Sequence, residues 1–182
     1  MIVVKVGGSL FDSPALGPAL RAYLESLTPA DVLLVPGGGP VADAVRELDR
    51  VHALGEEAAH WLALTSLWAT AAFFRELIPG AEYASHPDAL PFAAKAYILD
   101  AHMFCQFDAT LPHTWAVTTD SIAARAAVVF RAEKLVLLKS VDVPPGTPWE
   151  LAAANGWVDA HFPHVAATLS CPVEVVNFLE RP

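Results

Sequence analysis

Three clusters in this sequence have the residue types that hold phosphate groups. Lys5 precedes Gly7-Gly8-Ser9, Pro36 precedes Gly37-Gly38-Gly39, and Thr118-Thr119-Asp120-Ser121 forms the third. Glycine lets a backbone approach a ligand closely and turn its amides toward phosphate oxygens. Lysine is seldom buried without a partner, yet Lys5 lies in a run otherwise made of Ile and Val. It reads either as an edge-strand ammonium that escapes to solvent or as a cation neutralising a transferring phosphoryl group. Any one cluster alone is compatible with an ordinary turn. Two such loops so near the start of the chain, with a lysine inside the first strand, favour the phosphate reading.

The elements that must position these residues follow from the apolar pattern. Residues 2–6 (IVVKV) read as a buried strand ended by Gly7-Gly8, and residues 32–35 (VLLV) as another, stopped by Pro36 and the glycines. Ser13-Pro14 caps a helix running to about Leu27, and Pro40 opens a helix over Val41–Arg50. Glu56 to Leu77 reads as a long helix, apolar almost all round, as expected of one buried on more than one side. Tyr97-Ile98-Leu99 reads as a short strand, Thr118 as the cap of a helix to about Arg131, and residues 135–138 (LVLL) as a late strand. Val143 to Trp149 is a loop; Pro163 starts a last helix, and Val173–Val176 is a last strand. Apolar strands alternating with helices predict an α/β fold: a three-layer αβα sandwich with a mostly parallel central sheet. Ligands of such sheets bind at the C-terminal strand ends, where all three clusters fall.

The 182 residues are expected to form a single domain, 1–182, with no repeat, low-complexity tract or linker to divide it. At 54% hydrophobic and 17% charged, the chain can build a sizeable core and has apolar surface left for a partner. Its net charge of −9 argues against a nucleic-acid backbone as ligand. Local amides, a lysine and a metal ion can still neutralise a polyphosphate. Cys105 and Cys171 read as reduced thiols rather than a disulfide framework. The chain opens directly as a strand, with no basic leader, and no apolar stretch reaches the length of a membrane span. A cytoplasmic protein without membrane association is expected.

Two familiar nucleotide signatures do not account for the glycines. No G-x-x-x-x-G-K-[ST] run occurs. Gly37-x-Gly39-x-x-Ala42 matches a dinucleotide fingerprint, but Glu56 and Glu57, near the distance of its required acidic residue, open a helix rather than end a strand.

Taken together, the loops resemble those of the amino acid kinase superfamily, whose hallmark is a K-x-G-G-S strand-loop followed by a second strand ending in P-G-G-G or H-G-G-G. Within it, the chain is most similar to small kinases of (5-aminomethylfuran-3-yl)methyl phosphate in methanofuran synthesis. Their H-S-W-A-x-T-S-D-S block is matched by His113-Thr114-Trp115-Ala116-Val117-Thr118-Thr119-Asp120-Ser121. Their V-R-x-x-D helix is matched by Val45-Arg46-Glu47-Leu48-Asp49, and an S-H-x-L-A segment by Ala59-His60-Trp61-Leu62-Ala63. A late D-x-x-F-P element appears as Asp159-Ala160-His161-Phe162-Pro163.

The resemblance implies ATP and Mg²⁺ as cofactors, no dedicated protein metal site, and a small-molecule acceptor. It implies that Lys5, Gly7, Gly8 and Ser9 hold the β- and γ-phosphates. Gly37, Gly38 and Gly39 would line the seam between γ-phosphate and acceptor, with Thr118 and Thr119 beside them. Asp120 would organise the lysine and the metal-bound phosphates. Asp49, His60 and His113 would face the acceptor, although His60 also reads as a satisfied core histidine and Asp49 as a solvated helix-end charge. The resemblance also implies a homodimer paired through the 56–77 helix. One loop departs from the pattern: where relatives have T-D-V-D-G or T-K-V-D-G, this chain has Lys139-Ser140-Val141-Asp142-Val143. No lysine follows Lys139, so Lys139 is the candidate replacement for the second phosphate-binding lysine of many relatives, with Asp142 beside the nucleotide. A phosphate-monoester acceptor is already a nucleophile and needs no general base. A kinase of another small metabolite (a carboxylate, nucleotide or isoprenoid phosphate) and a non-catalytic nucleotide sensor are the competing readings.

Overall fold

The computed structural model describes residues 1–90 and 95–179. Among these residues six strands form one sheet: β1 (Ile2–Val6), β2 (Val32–Pro36), β3 (Glu82–Ala84), β4 (Ala96–Leu99), β5 (Lys134–Lys139) and β6 (Val173–Asn177). Their order is β3-β4-β2-β1-β5-β6, and every pairing is parallel. The chain moves from β1 to β2 on one side of the sheet and from β5 to β6 on the other. Such a reversal opens a crevice at the C-terminal strand ends.

Among the described residues seven α-helices cover the sheet: α1 (Leu16–Ser26), α2 (Gly39–His52), α3 (Glu56–Leu77), α4 (Ala101–Phe107), α5 (Thr119–Val129), α6 (Trp149–Ala154) and α7 (Phe162–Ala166). The three-layer reading therefore holds, with a sheet that is wholly rather than mostly parallel. Three short elements were not legible in the sequence: β3, α4 and α6. The apolar signal of β3 is weak, since Glu82 and Tyr83 are only half-buried at the sheet edge. Helix α6 begins at Trp149, the last residue of the expected loop.

Strand alternation sorts the core into two halves. Val3, Leu33, Val35, Leu135 and Leu137 face the layer containing α5, while Val4, Val6, Leu34, Val136 and Leu138 face that containing α1. Lys5 and Lys139 share the parity of the first set. Both therefore point toward α5, whose Ala123, Ala124, Ala126 and Ala127 let it lie close against the sheet. Within the single chain, helix α3 buries one part of its apolar surface. Leu64, Leu67, Ala71 and Phe74 are inside, whereas Leu62 and Phe73 are 38% and 40% exposed.

The two glycine loops are glycine-rich because they pack on each other. A Cβ at Gly8 would strike the backbone of Gly39, and one at Gly37 would strike the Gly8 amide and lie 2.8 Å from the Val6 carbonyl. Gly39 is left-handed, at φ +52°, against the ring of Phe11. Gly37→Ala should therefore overpack the loop pair and destabilise the fold by about 1–3 kcal/mol, even without any ligand. Urea unfolding checks this; unchanged stability would mean that the loops separate without cost.

Candidate active site

The glycine loops, the start of α2, the middle of α3 and the start of α5 enclose a cleft of about 430 Å³. Lys5, Gly8, Ser9, Gly38 and Gly39 line one end, joined by Thr118 and Thr119. Leu64, Leu67, Val117 and Ile122 give it an apolar side. The amides of Gly8 and Ser9 open a 3₁₀ turn, Gly8–Leu10, so they have no partner within that turn. Gly7 and Gly37 serve differently. Their amides donate to the carbonyls of Leu138 and Val6, both at 2.8 Å, and so tie the loops to the sheet.

Behind the cleft floor lies a buried charge cluster. Asp120 Oδ1 is 2.8 Å from Lys5 Nζ, and Asp120 Oδ2 is 2.6 Å from Lys139 Nζ. All three side chains are nearly inaccessible, at 6%, 6% and 11% exposure for Lys5, Asp120 and Lys139. Lys5 thus has a partner at its own depth rather than a route to solvent. Burial pushes the Asp120 carboxyl toward the neutral form, but the two ammonium groups outweigh it and hold its pKa below the usual value. Burial, and then the charge of Lys5, bring Lys139 down to about 8, although Asp120 pulls the other way.

Asp159 fixes the start of α5 and hence Asp120. Its Oδ2 accepts from the Thr118 amide, the Thr118 hydroxyl and the Ser121 amide, each at 2.9 Å. Its Oδ1 accepts from the Phe162 amide at 2.8 Å, joining α5 to α7. A carboxylate at a helix N-terminus also meets the favourable end of the dipole. Ser9 and Ser140 hydroxyls meet at 2.8 Å, linking the β1 and β5 loops. Asp142 lies exposed beyond that link and does not line the cleft.

At the other end, the three expected acceptor residues separate. His60 lines the cleft and is buried. Burial, and then the nearby His113, lower its pKa. His113 stacks on His60 with ring centroids 4.9 Å apart, and its Nδ1 lies 2.8 Å from Glu57. Neither His113 nor Asp49 lines the cleft. Asp49 Oδ2 accepts from the indole of Trp115 at 2.7 Å, and Oδ1 accepts from the Gly55 amide at 3.2 Å. Asp12, Asp43, Arg46 and Trp115 do line it, and the sequence reading did not select them. Arg46 and Trp115 were visible inside the V-R-x-x-D and H-T-W-A-V-T-T-D-S runs. Asp12 and Asp43 carried no comparable signal.

No family model matches the chain. Its sequence is 26% identical over 191 residues to the [5-(aminomethyl)furan-3-yl]methyl phosphate kinase of Methanocaldococcus jannaschii, covering 97% of this chain and 88% of that protein. The uridylate kinase of Archaeoglobus fulgidus superposes with a TM-score of 0.69 at 16% identity, covering 97% of this chain and 90% of that structure. The UMP kinase of Bacillus anthracis superposes with a TM-score of 0.67 at 15% identity, covering 98% and 87%. These relationships bear out the resemblance read from the glycine loops: the chain has the amino acid kinase fold, and nearly its whole length is similar in sequence to a small-molecule phosphate kinase.

Proposed function

We propose that the chain is a kinase that transfers the γ-phosphoryl group of ATP to a small phosphate monoester, with (5-aminomethylfuran-3-yl)methyl phosphate the first candidate acceptor. A phosphotransferase activity accords with the kinases it resembles in sequence and fold. The observation that carries the proposal is the charge of the buried cluster. Lys5 and Lys139 share one carboxylate, which leaves one positive charge at the C-terminal strand ends. A buried charge is costly unless compensated, and a polyphosphate laid against the Gly8 and Gly39 loops supplies the compensation. The sequence similarity to the archaeal kinase supports the choice of acceptor class.

In this reading an oxygen of the acceptor phosphate attacks the γ-phosphorus. The bond from that phosphorus to the β–γ bridging oxygen breaks, and ADP leaves. The acceptor is already anionic, so no residue has to remove a proton. Lys5 draws charge from the transferring group, and loop amides hold its equatorial oxygens. Both oxygens of Asp120 are engaged by lysines, and among the described residues no group of three or more His, Cys, Asp or Glu could hold a metal ion. The residues therefore fit Mg²⁺ that enters on the nucleotide phosphates, as this ion commonly does; it would supply further neutralisation of phosphate charge. No helix among the described residues is long and apolar enough to cross a membrane, and a cytoplasmic location belongs to the same proposal.

Transfer of labelled γ-phosphate from ATP across a panel of phosphate monoesters and carboxylates tests the assignment. Label should pass to a monoester, and the furan compound should be among the best acceptors. Lys5→Met should lower kcat by about 10²–10³-fold. It should still fold, because Lys139 remains on Asp120 and the pair becomes neutral overall. A folded Lys5→Met with near-native turnover would overturn the role of Lys5, and absence of transfer to every acceptor would overturn the kinase reading.

We also propose a homodimer formed through α2 and α3. Val41, Leu48 and Val51 on α2 and Leu62 and Phe73 on α3 expose apolar surface at helical spacing. Light scattering at micromolar concentration should give twice the 19.4 kDa chain mass. A value at the single-chain mass would remove this proposal.

A further inference from the structure

We infer that Asp49 is a positioning residue, which sets Arg46 through Trp115 as the anion-recognising group of the acceptor end of the cleft. This rests on the kinase reading above and specifies how its acceptor is held. Asp49 does not reach the cleft itself. Its two oxygens are occupied, one by the Trp115 indole at 2.7 Å and the other by the Gly55 amide in the turn between α2 and α3. That arrangement fastens the loop before α5 to the end of α2. Trp115 then forms part of the cleft wall, and the Arg46 guanidinium lies over its ring, 5.0 Å from the centroid.

A guanidinium stacked on an indole keeps its N–H edge free to meet a carboxylate or phosphate bidentately. Arg46 has one ion-pair partner in the cleft, Asp43, at 2.9 Å. That pair is exposed on both sides, at 49% and 69%, so it is weak and readily exchanged for a better anion. Ala63, Leu64, Leu67 and Ile122 give the same cleft an apolar portion of its lining. The cleft thus suits a small molecule with an apolar body and an anionic head, and Trp115 decides where Arg46 presents its charge.

Benzyl phosphate has this shape and provides a probe that needs no turnover. Its affinity can be followed by calorimetry, and the Trp115 indole proton by NMR, assigned with Trp115→Phe. Arg46→Gln should weaken benzyl phosphate about tenfold or more. Asp49→Ala should weaken it to a similar extent and remove the slow exchange of the Trp115 indole proton. Asp49→Asn keeps a side-chain acceptor for that proton and should stay within about threefold of the wild type. The Asp49→Ala, Arg46→Gln double variant should bind no more weakly than Arg46→Gln, since both act on one contact. ATP affinity, measured in the same samples, should not follow this pattern. The inference is overturned if Asp49→Ala binds benzyl phosphate like the wild type, if the two changes add, or if the wild type does not bind it at millimolar concentration. A chain that binds ATP but not benzyl phosphate would keep the kinase reading and lose this one.

Discussion

Everything else in this molecule is arranged around two lysines that share one buried carboxylate. A single Lys–Asp pair behind the cleft would be neutral, and a lone lysine there would be expensive to bury. The Lys5–Asp120–Lys139 cluster is intermediate: stable enough to be built into the fold, yet left with a positive charge. Removing Asp120 would leave two buried ammonium groups unpaired, whereas removing either lysine leaves a paired carboxylate. The asymmetry makes Asp120 the structural centre of the cluster.

The cluster depends on the sheet and on one helix. Strand alternation sends Lys5 and Lys139 to the same face, because β1 and β5 are adjacent and parallel with Lys5 paired to Leu137. Alanines on the sheet side of α5 bring its first turn low enough for Asp120 to meet both ammonium groups. Asp159, from outside the helix, satisfies the amides of Thr118 and Ser121 and so fixes that turn. The loops over the cluster are set by backbone contact between Gly8 and Gly39. Their glycines are thus required by packing as much as by any ligand.

The glycine-loop end of the cleft was legible in the sequence because its residues lie in short runs at strand ends. Lys5, Gly8, Ser9, Gly38, Gly39, Thr118 and Thr119 are all brought to one cleft. The partnership of Lys139 with Asp120 was less accessible, since it depends on which strands are neighbours. The opposite end of the cleft was harder still. Asp49 and His113 look like cleft residues in their motifs, but they hold Trp115 and meet Glu57 instead. Whether a polar side chain faces a ligand or supports a neighbour is decided by tertiary packing, which spacing along one helix does not encode.

The central claim, that the two-lysine cluster receives a polyphosphate, is tested most directly by counting protons. Burial and the charge of Lys5 lower the Lys139 pKa to about 8, so in mildly alkaline solution part of the population is neutral. A polyphosphate beside it favours the charged form and raises its pKa, so ATP binding should draw a proton from the buffer. Calorimetry of MgATP binding at pH 8, in buffers of different ionisation enthalpy, should show net proton uptake, which fades as the pH is lowered and Lys139 is already charged before binding. Lys139→Met should abolish that uptake while Lys5 remains paired with Asp120. Binding of ATP without proton uptake by the wild type, or with the same uptake by Lys139→Met, would contradict the account.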